Sequence, residues 1–415
     1  MYRCLVITLG RDAPGVNAAI RATTRIASQT KNWKVSAARR GITGLLAGAI
    51  KELTEKEVRF ILERGGSILG STVVRIAPDD QEMIKKIAAA LREYDLVVAT
   101  GGLGSFSILN QVYESNDLGL TTTMFIPASI ENEFIQPVRK NGNPVINAEA
   151  IGADSAANAG VSTIDRLRDQ SYLNQTVFLV QCVGGKSNYL PLTIGLGCGA
   201  HRIYLPDYPP ISRDEMAQIR TLFGGRFQPN RLDAAEFVGW IREMLFTLKK
   251  SYLVVIVPSE LRMVEMQAHG RAGLPRYEDT IRSLDQASFS LFRLVEELNV
   301  HFSAHPEVQI RSVILDDLQR GGAPTVRDRL LGTIYGEAAV EEFLQIFNTQ
   351  DTQRRGNLNL LSVRDPNSGT WTCHPRQEVV SLFHGSDAHP GGLPPVSFYR
   401  QNQGLLSGYR PLAEL

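Results

Sequence analysis

Short, almost wholly apolar runs recur along this chain, with stretches of helical periodicity between them: CLVITL at Cys4–Leu9, LVVAT at Leu96–Thr100, TTMFI at Thr122–Ile126, VFLVQCV at Val177–Val183 and YLVVIV at Tyr252–Val257. A strand apolar on both faces must be covered on both faces, so the pattern predicts mainly parallel sheets layered between helices. Helices are expected at 16–28, 55–64, 81–94, 154–170, 234–249, 280–298 and 326–347. Further strands are expected at 33–38, 203–205 and 309–315. In such folds phosphate-bearing ligands bind beyond the carboxyl ends of the strands. At 415 residues the chain exceeds what one core usually covers, which argues for two domains.

The charge balance excludes some classes. A formal net charge of +1 argues against a general nucleic-acid or membrane-surface binder. No apolar run approaches the ~18 residues of a membrane span, and the first strand begins almost at Met1, leaving no room for a signal peptide. Cys4, Cys182, Cys198 and Cys373 are scattered with no CxxC spacing. They read as buried thiols of a reduced, cytoplasmic protein. The seven histidines show no paired metal spacing, so no resident metal site is expected. Polar, turn-rich composition marks 136–147, 207–230 and the tail from Asp351 as irregular, with a hairpin candidate around Asn367-Ser368-Gly369.

The run EYDLVVATGGLGS, Glu93–Ser105, concentrates the functional question. A buried strand enters a glycine turn and a helix is expected from Ser105, a geometry that points backbone amides at an anion. Phosphoryl transfer at such a turn also needs an acid to hold Mg²⁺. This turn carries Leu103 instead.

Ordered motifs over residues 3–347 resemble those of the phosphofructokinases, ATP- or pyrophosphate-dependent. They are TLGRDAPGVNAAIR at Thr8–Arg21, RRGITGLLAG at Arg39–Gly48, RGGSILGS at Arg64–Ser71, GGLGS at Gly101–Ser105, PASIENE at Pro127–Glu133, STIDRLRD at Ser162–Asp169, VGGKSNYLPL at Val183–Leu192 and LQRGGAPTVRDRLLG at Leu318–Gly332. The resemblance implies two three-layer α/β/α domains. The first, on the phosphate-donor side, would comprise 1–150 plus 318–350. The second, on the sugar-phosphate side, would comprise 151–317, and 351–415 would be a C-terminal extension.

Transferred residue by residue, the resemblance finds the catalytic pattern altered. The phosphate-donor loops fall on Gly10, Arg11, Gly101, Gly102, Gly104 and Ser105, with Arg11 replacing a second loop glycine that lets backbone approach phosphate. Leu103 replaces the metal acid. The base falls on Glu131, and Glu133 takes the place of the second aspartate, each one methylene longer than the family's residue. Ser129 stands for a threonine and Ala128 for the lysine associated with pyrophosphate use. Arg311 and Arg320 match arginines that hold the sugar 6-phosphate. Asp317 replaces a histidine, Thr176 an arginine from a neighbouring subunit, and Val183 the methionine of Met-Gly-Arg, with Lys186 nearby. Pro258 replaces a sugar-contacting glutamate, with Glu260 close by, and Val73 an arginine near the nucleotide, with Arg75 two residues on. Asp12 is expected to cap the first helix. Effector-site positions of bacterial members, where nucleotide diphosphate or phosphoenolpyruvate binds, fall on Arg21, Arg25, Arg168 and Lys249. Ordinary surface or interface ion pairs explain those basic residues equally well.

Two principal readings stay open. One is a phosphofructokinase-like protein impaired or inactive in catalysis, a regulatory or structural subunit of an oligomer. The other is an active 6-phosphofructokinase with Glu131 as base and Glu133 on Mg²⁺, using ATP or pyrophosphate. A third is a sensor of a small anionic, phosphorylated metabolite. The resemblance implies a homo- or hetero-oligomer, with an active phosphofructokinase paralogue as one candidate partner, and neither nucleic acid nor membrane.

Overall fold

The computed structural model describes residues 1–30, 33–74, 76–77, 80–134, 149–169, 175–184, 189–205, 227–229, 231–259, 262–263, 286–363 and 370–384. In chain order the elements are β1 (Tyr2–Thr8), α1 (Val16–Gln29), β2 (Trp33–Ala38), α2 (Gly41–Leu46), β3 (Ile50–Glu52), α3 (Gln81–Leu91), β4 (Leu96–Gly101), α4 (Leu103–Ser115), β5 (Thr122–Pro127) and α5 (Ala153–Asp169). Then come β6 (Gln175–Cys182), α6 (Tyr189–Gly197), β7 (Arg202–Leu205), β8 (Phe227–Pro229), β9 (Arg231–Leu232), α7 (Ala234–Arg242), β10 (Tyr252–Pro258), β11 (Arg262–Met263), α8 (Gln286–His301) and β12 (Val308–Ile314). The chain closes with α9 (Val326–Thr349), β13 (Leu358–Val363), β14 (Trp371–Pro375) and α10 (Arg376–His384). The division into compact units puts the described residues up to Ala156 and from Asp317 to His384 in the first, and those within Ala157–Asp316 in the second.

The first unit is built on a sheet ordered β14-β13-β5-β4-β1-β2-β3. Its strands from β13 through β2 run parallel, and an antiparallel strand closes each edge. The apolar runs occupy its centre: Leu5, Ile7, Val97, Ala99 and Phe125 share one core with Ile84 and Ile87 of α3 and Phe106 and Leu109 of α4. The second unit holds a parallel sheet ordered β12-β6-β10-β7-β8 and a small β9–β11 pair. Val177, Leu179, Val255 and Val257 pack there with Phe237 and Ile241 of α7 and Leu294 and Leu298 of α8. The architecture is the mixed α/β fold, with mostly parallel sheets, that the apolar runs predict.

Helices α1 and α9 approach through small residues. A Cβ added to Gly336 would lie 2.5 Å from the Ala19 carbonyl oxygen and 2.7 Å from Ala22 Cβ. One added to Gly332 would lie 2.7 Å from the Gly15 carbonyl oxygen. The helix pair therefore touches backbone to backbone.

Several local expectations are corrected. Residues 55–64 are turns, not a helix; Glu57 accepts from the N–H and Oγ1 of Thr54, and Val58 and Ile61 are buried. Helix α7 stops at Arg242, a π-turn follows over Glu243–Thr247, and Lys249 takes φ 55°. Helix α4 begins two residues before Ser105, at Leu103. Asp12 does not cap α1: Gly15 is the cap residue with φ 105°, and Asp12 accepts from Ser71 Oγ at 2.8 Å. The stretch expected as a separate extension contributes β13 and β14 to the first sheet, because LNLLSV is buried throughout and pairs with β5. The irregular stretch 136–147, most of 207–230, the proposed turn at 367–369, Arg75, Lys186 and Glu260 lie outside the described residues.

A buried polar relay ties that hairpin to α10. Ser362 Oγ lies 2.8 Å from His374 Nε2, and His374 Nδ1 lies 3.2 Å from Glu378 Oε1. A carboxylate only accepts, so Nδ1 carries a proton toward Glu378, and Nε2 and the Ser362 hydroxyl share the second bond. His374→Ala is expected to destabilise the protein by about 2 kcal/mol, since it removes a buried side chain and unpairs Ser362. Urea unfolding of the variant measures this; a loss below ~0.3 kcal/mol would show the relay to be idle.

Candidate functional site

Three loops leave the carboxyl ends of the adjacent parallel strands β1, β4 and β5 and meet in the first unit. The strand ends are stitched by Leu9 N–H to the Thr100 carbonyl at 2.8 Å and Ala128 N–H to the Gly101 carbonyl at 2.9 Å. Between the loops lies a cleft of about 240 Å³, lined by Gly10, Arg11, Gly102, Gly104, Ser105, Ser129, Glu131, Glu133 and Arg320. Beside it is a second hollow lined by Arg11, Asp12, Ser71, Asp317 and Arg320. The donor-loop residues and both acids singled out in the sequence thus share one cleft, except Gly101, which is buried as the last residue of β4.

The first loop turns at Gly10, φ 80°, where an added Cβ would lie 3.1 Å from Ser105 Oγ. That contact packs the first loop against the glycine turn. Arg11 is exposed at the cleft rim. In the third loop, side chains alternate: Ile130 and Asn132 are buried, whereas Ser129, Glu131 and Glu133 line the cleft. Asn132 makes the turn with φ 52°, and its Oδ1 accepts from Ala150 N–H at 2.8 Å.

The two acids have different partners. Glu131 Oε1 lies 3.9 Å from the Arg320 guanidinium, both largely buried. Glu133 Oε1 accepts from the Leu103 N–H at 2.5 Å and so caps α4 at its first residue. An added Cβ on Gly102 would lie 2.4 Å from that oxygen. The Leu103 side chain is half-buried against the core of the first unit. Mg²⁺ does not fit this residue set: the position matched to the metal acid is apolar, Glu133 is engaged by an amide and Glu131 faces Arg320. Among the described residues no three His, Cys, Asp or Glu side chains converge as a metal site.

The remaining candidates divide between the units. Arg21 and Arg25 are half-buried on α1 in the first unit. Arg168 and Lys249 belong to the second, where Arg168 pairs with Asp165 at 3.6 Å and stands over the Tyr252 ring at 5.8 Å. Arg311 is exposed on β12 and donates to Gln309 Oε1 at 2.8 Å. Thr176 and Val183 are buried in the second unit.

The most connected polar residue here carried no signal of its own in the sequence. Asp328, buried on α9, accepts from Gly152 N–H, Ser155 N–H and Ser155 Oγ, at 2.8, 2.8 and 2.5 Å, across the start of α5. Burial pushes its carboxyl up to about 6, against the pull of those donors. Thr325 caps α9 and donates to Asp154 Oδ2 at 2.6 Å, while Arg327 makes two bonds to Glu149. The RGGSILGS and LQRGG motifs touch at Gly65, where an added Cβ would lie 2.2 Å from the Gly322 carbonyl oxygen. Much of the last motif is therefore structural, with only Arg320 and its neighbours Asp317 and Gly321 at the cleft and adjoining hollow.

A family model described as Phosphofructokinase matches residues 3–343. The ATP-dependent 6-phosphofructokinase of Coxiella burnetii is 25% identical over 376 residues, covering 89% of this chain and 93% of that protein. A protein of the same name from Clostridium botulinum is 29% identical over 349 residues, 83% of this chain and 87% of that one. Among solved structures, the pyrophosphate-dependent phosphofructokinase of Marinobacter aquaeolei superposes with a TM-score of 0.64 at 14% identity, over 95% of this chain and 86% of its own. The Pichia pastoris phosphofructokinase in the T-state gives 0.62 at 21% identity, over 92% of this chain but only 35% of its own length. No helix among the described residues is long and apolar enough to cross a membrane.

Proposed function

The chain belongs to the phosphofructokinase family, and on that premise we propose that its phosphoryl-transfer cleft is reworked, with little or no catalysis, so that the protein serves as a regulatory or structural subunit of an oligomer. The observation that carries this reading is the glycine turn. Leu103 packs inward where the resemblance puts the metal acid, and its own N–H is held by Glu133. Phosphoryl transfer draws most of its rate from positioning and from neutralising phosphate charge. Here the cleft contributes Arg11 and Arg320 against Glu131, Glu133, Asp12 and Asp317 along its two hollows, so acids outnumber bases where an anion would react.

An active enzyme is the second reading. It is favoured by the names of the relatives, ATP-dependent 6-phosphofructokinases, and by Glu131 lining the cleft as a base would. Glycolytic kinase activity on fructose 6-phosphate follows from that reading alone. A metabolite sensor using Arg21 and Arg25 is a lesser variant of the first. Four buried cysteines, none in a disulfide, fit a reducing, cytoplasmic setting.

Purified protein assayed with fructose 6-phosphate, Mg²⁺ and either ATP or pyrophosphate is expected to turn over at least about 10³-fold more slowly than an active family member measured alongside. Turnover within about tenfold of that enzyme, lost in Glu131→Gln, sinks the proposal. Co-purification from the native cell is expected to recover a phosphofructokinase paralogue; recovery of this chain alone counts against the hetero-oligomer.

A further inference from the structure

We infer that Glu133 is the cleft's own resident anion: its carboxylate sits at the first amide of α4 and excludes phosphate-bearing ligands from the glycine turn. The inference rests on reading this cleft as the family's phosphate-donor side. Helix α4 has no capping side chain at Gly102 and no acid in its first turn. The capping oxygen arrives instead from the third loop, 2.5 Å from Leu103 N–H and against the bare face of Gly102. That face is the surface a glycine turn keeps open for a phosphate oxygen.

The second cleft carboxylate acts in the same sense. Glu131 stands 3.9 Å from Arg320, the guanidinium on the cleft wall. Of the features that would attract an anion, the helix amide and Arg320 are each already faced by a carboxylate, which leaves Arg11 at the exposed rim. An incoming phosphate must displace Glu133 or lie beside it, and like charges at that distance repel in a partly water-excluded cleft. Glu133 is therefore a specificity-determining residue: its charge, rather than the shape of the turn, closes the cleft to pyrophosphate and nucleotide phosphates. The bond to Leu103 N–H also makes it a local stabiliser, so its two roles separate on substitution.

The experiment is a titration of the full chain with inorganic pyrophosphate in Mg²⁺-free buffer, by calorimetry and by thermal shift, for wild type, Glu133→Gln and Glu133→Ala. Glu133→Gln keeps a neutral acceptor for the amide and removes the charge; Glu133→Ala removes both. Both variants are expected to bind pyrophosphate at least about tenfold more tightly than wild type. Glu133→Ala is expected to melt lower than wild type and to be restored by pyrophosphate but not by chloride at equal ionic strength. Equal affinity in all three proteins overturns the inference, as does absence of binding by the folded Glu133→Gln protein. A merely structural cap predicts the lower melting temperature without the rescue. Turnover in the kinase assay would sink the proposed function and, because it needs a donor phosphate at this turn, the exclusion by Glu133 too; a flat titration with no turnover would sink the exclusion alone and leave the proposed function standing.

Discussion

A valine at Gly336 is expected to lower the unfolding free energy by about 3 kcal/mol or more, and an alanine there by roughly 2. The expectation follows from which atoms are in the way. The nearest neighbour of the added Cβ is the Ala19 carbonyl oxygen, part of the α1 backbone, at 2.5 Å. No side-chain rotation relieves that contact, so one helix must move. The sign of the alanine variant is itself diagnostic. In an exposed helix, glycine to alanine stabilises by about 1 kcal/mol; here the close approach reverses it. Gly332→Ala, 2.7 Å from the Gly15 carbonyl, should behave alike. Urea unfolding followed by tryptophan fluorescence, with Trp33 and Trp371 reporting from the first unit, measures the loss. A stabilising Gly336→Ala would show that α1 and α9 do not touch as described.

Asp328→Ala is expected to cost about 3 kcal/mol near neutral pH, because three donors lose a buried carboxylate acceptor together. The cost carries a pH signature. The native carboxyl is raised to about 6 from the ordinary 3.8 by burial. Between those values the unfolded chain has released its proton and the native chain has not, so wild-type stability from this group falls as pH rises from about 4 to about 6. Below that window the term is fully present; above it the term is gone. The alanine variant lacks it, so the gap between the two proteins should widen by on the order of 3 kcal/mol as pH drops through the window. Denaturation at pH 4, 5, 6 and 7 reads this directly. A gap that stays constant would mean that the three donors hold the native carboxyl ionised throughout.

The parallel sheets were legible because apolar runs such as CLVITL and YLVVIV admit little else: both faces need cover. Several ordered glycine motifs were legible too, since those after β1, β2 and β4 mark strand-to-helix turns. The rest depends on contacts distant in sequence. Residues 55–64 have helical periodicity, yet Glu57 bonds back to Thr54 and the segment stays in turns. Asp12 looks like a cap until Ser71 is brought beside it. The LNLLSV run lies in a tail rich in turn residues, and only pairing with β5 makes it a sheet strand. In the site, the replacement of an acid by Leu103 was plain, whereas the engagement of Glu133 by the Leu103 amide requires two loops 30 residues apart to meet. Asp328 was invisible as a hub because its partners lie 173 and 176 residues away.

The first unit takes its strands from both sides of the second, which sets an order for synthesis. While the ribosome is still delivering residue 316, β5 has no outer neighbour and α1 lacks the helix that covers it. Both wait for α9 and β13. The described second unit comes from one uninterrupted stretch, Ala157–Asp316, and is free to close first as it emerges. For that interval the earliest residues to leave the ribosome hold a half-covered apolar sheet, the state in which strand edges pair wrongly. A nascent chain stalled short of β13 exposes the edge of β5 that the finished chain buries.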